Sequence, residues 1–198
     1  NFLKMKKIEI IERFHIALIE VCEGQALDLE YQYRDNVTIN EYIGMIDKKT
    51  GYIIGMCSEI GSMLCNYSVE DQLKLKLYGQ LLGRAFQVQD DLLEIISNQD
   101  KMGKSLKSDF LLNKKTYLSI KADELDSNYF NKCKDVAKKD YIKGSDLYKK
   151  FLINNNLINE TKEYVESILN EADKLIKDMD IKHTSLYKYT DMILNRKS

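Results

Sequence analysis

Not one proline interrupts the 198 residues of this chain, and only 9 are glycine. Average usage would supply about 10 prolines and 14 glycines. The residues that most often end or bend a helix are therefore scarce, and long uninterrupted helices are expected. Hydrophobic residues make up 44% and charged residues 31%, enough apolar material for a core. With 30 Lys and Arg against 31 Asp and Glu, the formal net charge is −1, which speaks against the basic field behind sequence-independent nucleic-acid binding.

Cys22, Cys57, Cys65 and Cys133 stand apart with no C-x-x-C pair, so neither a zinc knuckle nor a disulfide framework is suggested. Reduced cytoplasm is the expected setting, with Cys57 and Cys65 read as buried thiols. No stretch reaches the roughly 18 consecutive apolar residues of a membrane span, and the start does not read as a signal peptide. The chain opens on Asn1 directly into the helical text Phe2-Leu3-Lys4-Met5, as a piece of something longer would.

Apolar spacing supports helices throughout, with no strand-type alternation and no internal repeat. Ile8, Ile11, Phe14, His15, Leu18, Cys22 and Leu29 trace one stripe. After a polar break at 32–37, Ile46, Ile53, Ile54, Cys57, Ile60 and Leu64 trace another, and Gly51, Gly55 and Gly61 predict close packing or a kink there. Ser68 with Glu70 and Asp71 caps the next helix. Its periodicity runs from Leu73 to Ile96, and it is expected to be the longest element and the centre of the fold. A loop over 97–108 follows, then a helix that Asp109 could cap. Amphipathic segments near 128–138, 145–153, 158–178 and 184–195 come next, separated by Gly144 and by Asn154-Asn155-Asn156. The class is all-α, one domain.

At about 100° per residue, Asp90, Asp91 and Glu94 fall within roughly 60° of Gln87, opposite the apolar arc of Leu77, Leu81, Ala85, Val88, Leu92 and Ile95. Neighbouring positions on the helix hold no Lys or Arg to neutralise these acids. Crowded carboxylates raise one another's pKa or recruit a divalent ion, and Mg²⁺ takes one or two carboxylates with water and phosphate. The competing reading is a solvated acidic face. Directly afterwards come Gly103-Lys104-Ser105-Leu106-Lys107-Ser108-Asp109 and Asn113-Lys114-Lys115-Thr116. Lysines beside a metal suit phosphate. Lys104 and Lys114 read as functional, Lys107 and Lys115 as solvated.

The string Gly83-Arg84-Ala85-Phe86-Gln87-Val88-Gln89-Asp90-Asp91-Leu92-Leu93-Glu94, followed by Gly103-Lys104 and Asn113-Lys114-Lys115-Thr116-Tyr117-Leu118, resembles the second aspartate-rich motif and lysine region of trans-isoprenyl diphosphate synthases. Glu23-Gly24-Gln25-Ala26-Leu27-Asp28 resembles that family's G-Q-x-x-D segment, and Lys49-Thr50 its K-T motif. The resemblance covers residues 20–120. It implies an isoprenoid-synthase-type helical bundle, incomplete at the N-terminus, of which residues 1–198 form the C-terminal part. The implied activity is head-to-tail condensation of isopentenyl diphosphate with an allylic diphosphate. By similarity Asp90, Asp91 and Glu94 would hold Mg²⁺ (Mn²⁺ as a substitute), and Lys49, Lys104 and Lys114 would grip the allylic diphosphate. Lys49, Thr50, Gln87 and Lys104 would be the catalytic set, with Gln25, Asp28 and Phe86 toward the substrate pocket and an apolar tunnel for the growing chain. A homodimer is the implied assembly.

Glu94 stands where the family usually has Asp, Asn113 where Gly is common and Leu118 where Pro is common. The family's first aspartate-rich motif and its basic isopentenyl diphosphate region have no counterpart in these residues, so the chain alone is expected to be inactive and product chain length is left open. A non-catalytic small subunit of a heteromeric synthase, or a terpene cyclase-like protein, stand as alternatives. His15, His183 and the Tyr187 and Tyr189 region read as structural.

Overall fold

The computed structural model describes residues 2–96, 113–177, 179 and 185–196. Among these the chain is helical and strand-free. Helix α1 spans Phe2–Tyr31, α2 Ile39–Ile46, α3 Tyr52–Leu64 and α4 Val69–Ile96, and a π-helical turn at Asp47–Gly51 joins α2 to α3. The second half holds α5 (Tyr117–Lys139), α6 (Tyr141–Asn154), α7 (Leu157–Lys177) and α8 (Tyr187–Leu194). The expected 97–108 loop, the Asp109 cap, Lys104 and His183 lie outside the described residues.

The α4 helix is the hub, packed against α3 on one side and α7 on the other, with α8 closing over it. Its expected apolar arc is largely right. Leu81, Ala85, Val88 and Leu92 are 2% exposed or less, while Leu77 is exposed. One core gathers Tyr42, Ile46, Leu81, Ala85, Val88, Leu169 and Ile176, and a second gathers Leu92, Leu118, Phe130, Leu152 and Leu157. Burial of such side chains contributes about 1.5–3 kcal/mol each.

The described part of α4 is 28 residues and reaches the edge of the described residues, while α1 has 30. Several expectations change. The α1 stripe is helical but faces outward. Ile8, Ile11, Phe14, Leu18 and Leu29 are all exposed, and α1 is tied down instead by Ala17 and by pairs such as Arg13 with Glu59 at 2.8 Å. Cys57 and Cys65, placed near the outward side of α3, are exposed rather than buried. Gly144 does not separate helices but lies inside α6, where a Cβ would sit 2.4 Å from the Ala137 backbone nitrogen. Of the helix expected through Leu111, Thr116, Leu118 and Ile120, the residues before 113 lie outside the described ones, and the described part begins at Tyr117. Asn113 takes φ +57°, a left-handed conformation that stops a right-handed helix, and Thr116 then caps α5 in a reciprocal box with Ser119.

Candidate functional site

The K-T segment sits in the π-helical turn. Such a turn inserts one extra residue into a helical path, and proteins often place functional side chains there. Neighbouring lysines diverge as a result. Lys48 pairs with Glu20 and Glu23 of α1 at 2.6 and 2.7 Å, while Lys49 pairs with the buried Asp28 at 2.6 Å. Two close approaches make this possible. A Cβ on Gly24 would stand 2.4 Å from the Lys49 backbone nitrogen, and one on Gly83 would stand 2.6 Å from the Gly51 Cα. Only glycine lets α1 and α4 reach the turn from its two sides. Arg84 then braces it, donating from two nitrogens to Asp47 at 2.8 and 2.6 Å.

A polar row crosses α4 behind this turn. The Thr50 hydroxyl donates to Gln87 Oε1 at 3.3 Å, and Gln87 Nε2 donates to Asp91 Oδ1 at 3.2 Å. The Tyr42 hydroxyl, from α2, donates to Asp91 Oδ2 at 2.6 Å. The Tyr42 ring lies edge-on to that of Tyr117, in the first turn of α5, with 6.5 Å between centroids. Tyr42 is 1% exposed and Asp91 3%. Burial pushes the Asp91 carboxyl up to about 6, opposed by the Tyr42 hydrogen bond, the nearby Lys114 ammonium and Gln87. Burial and the Asp91 charge hold the Tyr42 phenol well above its ordinary value, so it remains a donor at neutral pH.

Asp90 looks the other way. Its side chain is 47% exposed and pairs with Arg196 at 2.8 Å. The Arg196 guanidinium also lies 4.5 Å from the centroid of the Phe86 ring, one turn before Asp90. The expected convergence of three carboxylates therefore divides in two, with Asp91 inside and Asp90 outside. Among the described residues no three His, Cys, Asp or Glu side chains gather as a metal cluster. The donor set nevertheless fits a hard divalent ion of the Mg²⁺ type. Asp90 and Glu94 lie one turn apart on the same helix, and such an ion completes its shell with water and phosphate oxygens.

Of the remaining expected site residues, Gln25 is exposed, Asp28 serves as the buried partner of Lys49, and Phe86 lies under Arg196. A cleft of about 270 Å³ between the α1–α2 connection and α5 is lined by polar residues such as Asp35, Asn113, Lys115 and Asp123 and by the apolar Val37, Ile120 and Phe130. Sequence reading missed Tyr42 and Arg196. A tyrosine seven residues before Lys49 reads as core, and nothing local links Arg196 to a helix more than 100 residues earlier.

The pattern that defines the Polyprenyl synthetase family matches residues 1–152. A geranylfarnesyl diphosphate synthase of Natronomonas pharaonis is 36% identical over 117 residues, covering 59% of this chain and 34% of that protein. A geranylgeranyl diphosphate synthase of Sulfolobus acidocaldarius is 27% identical over 197 residues, covering 96% of this chain and 59% of that one. The crystal structure of geranylgeranyl pyrophosphate synthetase from Pyrococcus horikoshii superposes with a TM-score of 0.82 at 30% identity, covering 98% of this chain and 60% of that one. The chain thus spans about a third to three fifths of the length of these relatives.

Proposed function

Because the chain belongs to the polyprenyl synthetase family, we propose that the complete protein performs head-to-tail prenyl transfer between isopentenyl diphosphate and an allylic diphosphate. The observation that carries this reading is the meeting, around α4, of the Lys49-Thr50 turn, the Gln87-Asp91 pair and the Lys114 segment, with Asp90 on the neighbouring outer side of the same helix. In the reaction the allylic C–O bond breaks and diphosphate leaves. The isopentenyl double bond attacks the resulting cation to form the new C–C bond, and a proton is lost from the neighbouring carbon. A divalent cation, Mg²⁺ by preference, supplies charge stabilisation to the leaving diphosphate when bound. Asp90 with Glu94 would hold it, with Asp91 fixed behind them. Lys49, Lys104 and Lys114 would bind the diphosphate as preorganised positive charge, and Thr50 and Gln87 would orient the group near Lys49.

The reading extends to a homodimer in the cytoplasm. The outward apolar stripe Ile8, Ile11, Phe14 and Leu18 on α1 supports pairing with a second copy. Four free cysteines and the lack of any described helix long and apolar enough to cross a membrane are in keeping with that compartment.

Incubating the complete protein with radiolabelled isopentenyl diphosphate, an allylic diphosphate of geranyl to geranylgeranyl length and Mg²⁺ should give an elongated prenyl diphosphate. A chelator should abolish it. No elongation with any allylic partner would refute the synthase. The subunit reading would then gain if the protein raised the turnover of a catalytic synthase.

A further inference from the structure

The Tyr42 hydroxyl stands where three segments meet. It donates to Asp91 at 2.6 Å, and the ring that carries it packs against Tyr117, which directly follows the Lys114-Lys115-Thr116 stretch. Asp91 in turn receives Gln87, which receives Thr50. The donors run in one sense from each end toward Asp91, so each acceptor on that carboxylate is filled by a group fixed on a different element. The Tyr42 ring is locked as well, edge-on to Tyr117 at 6.5 Å between centroids, while Tyr117 stacks on Tyr164 of α7 at 4.8 Å. A buried carboxylate left without one donor costs far more than an ordinary hydrogen bond contributes, so the row resists breakage at any single link.

Resting on the reading of a metal-diphosphate site, we propose that Tyr42 is its positioning residue. Through Asp91 it sets the spacing between the lysine-bearing segment before α5 and the acidic face of α4, without touching diphosphate or cation itself. Neither Lys114 nor Asp90 needs to move far for this to matter. A point charge displaced by about 1 Å loses much of its value toward a fixed anion in a site of low dielectric. Removing the hydroxyl loosens the Tyr42–Tyr117 corner against α4 and leaves one Asp91 oxygen without its donor, which draws the carboxylate toward the Lys114 ammonium that already acts on it.

The test is calorimetric titration of inorganic pyrophosphate in Mn²⁺ buffer into the complete protein and its variants. Tyr42→Phe should weaken binding about five- to tenfold with helical circular dichroism retained. In an Asp91→Asn background the same change should add almost nothing, because the hydroxyl acts through that carboxylate. Ser62→Ala is the structural control, since the buried Ser62 donates only to Glu59 O at 2.6 Å and takes no part in the row. It should lower the melting temperature and leave pyrophosphate affinity alone. Affinity of Tyr42→Phe within twofold of the parent overturns the assignment, as does a loss that simply adds to that of Asp91→Asn. If the parent binds no pyrophosphate, or Asp90→Asn leaves binding unchanged, the diphosphate reading itself falls and takes the Tyr42 assignment with it.

Discussion

Asp90 and Asp91 are chemically identical neighbours on one helix, yet they occupy opposite kinds of place. Asp91 is buried among the donors Tyr42 and Gln87, and Asp90 stands half in solvent against the guanidinium of Arg196. The 100° step between consecutive helical residues is enough to separate them. A buried carboxylate that accepts at both oxygens holds structure in place, and one whose partner among the described residues is a half-buried cation is available for exchange. The two acids of an aspartate pair thus divide the work of support and binding.

The sharpest break in that division is at Asp90. Asp90→Ala in the complete protein should reduce turnover about 10²- to 10³-fold, the scale for losing one preorganised electrostatic contact. Thermal unfolding should hardly change, because an exposed ion pair contributes about 1 kcal/mol or less. Steady-state kinetics with a paired melting curve would decide it. Activity within a few-fold of the parent would show that the outward carboxylate is not the binding one.

Asp91 should show the reverse pattern, in stability rather than turnover, and with a definite dependence on pH. Its carboxyl is pushed up from 3.8 to about 6 by burial. An acid that holds its proton more tightly folded than unfolded contributes fully to stability below its unfolded value, and that contribution is lost as pH rises through about 6. Between pH 4 and pH 7 the loss is on the order of 3 kcal/mol. Asp91→Asn, which cannot ionise, should remove this fall, so the parent and variant urea-unfolding curves measured with chelator present should diverge with pH. Parallel pH profiles would mean that the inner carboxylate is as well solvated as the outer one.

How much of this could be read in the sequence differs along the same helix. The apolar arc of Leu81, Ala85, Val88 and Leu92 was legible, because periodicity reports which side of a helix is buried. So were the Ser68 start of α4 and the order of the G-Q-x-x-D, K-T and aspartate-rich segments. The split between Asp90 and Asp91 was not, since both fall inside one polar arc and only tertiary partners tell them apart. Tyr42 was hidden for a related reason. A tyrosine amid Ile39, Ile43 and Ile46 reads as packing, and its hydroxyl gains meaning only when α4 and α5 close around it. The outward turn of α1 was equally illegible. An apolar stripe says that a face will be covered, not that this chain's own helices cover it. Residue 113 offered a signal that was available but easily passed over, because Asn is the residue other than glycine that most readily adopts the left-handed conformation found there.

The smallest effect, and the finest probe of the division, is at Arg196. Its guanidinium already neutralises Asp90 and rests on Phe86, so a divalent ion arriving at Asp90 must displace a tethered cation. That competition weakens apparent metal affinity by whatever the ion pair and ring contact contribute, up to about 1 kcal/mol for groups this exposed. Arg196→Ala should accordingly bind Mn²⁺ about two- to fivefold more tightly, read by electron paramagnetic resonance titration of the free ion. The gain should vanish in an Asp90→Asn background and persist in an Asp91→Asn one, because only the outer carboxylate faces Arg196. High salt should shrink it by screening the pair. An Arg196→Ala protein with unchanged Mn²⁺ affinity would place the exchangeable cation somewhere other than Asp90, and with it the distinction between the two aspartates would lose its outer half.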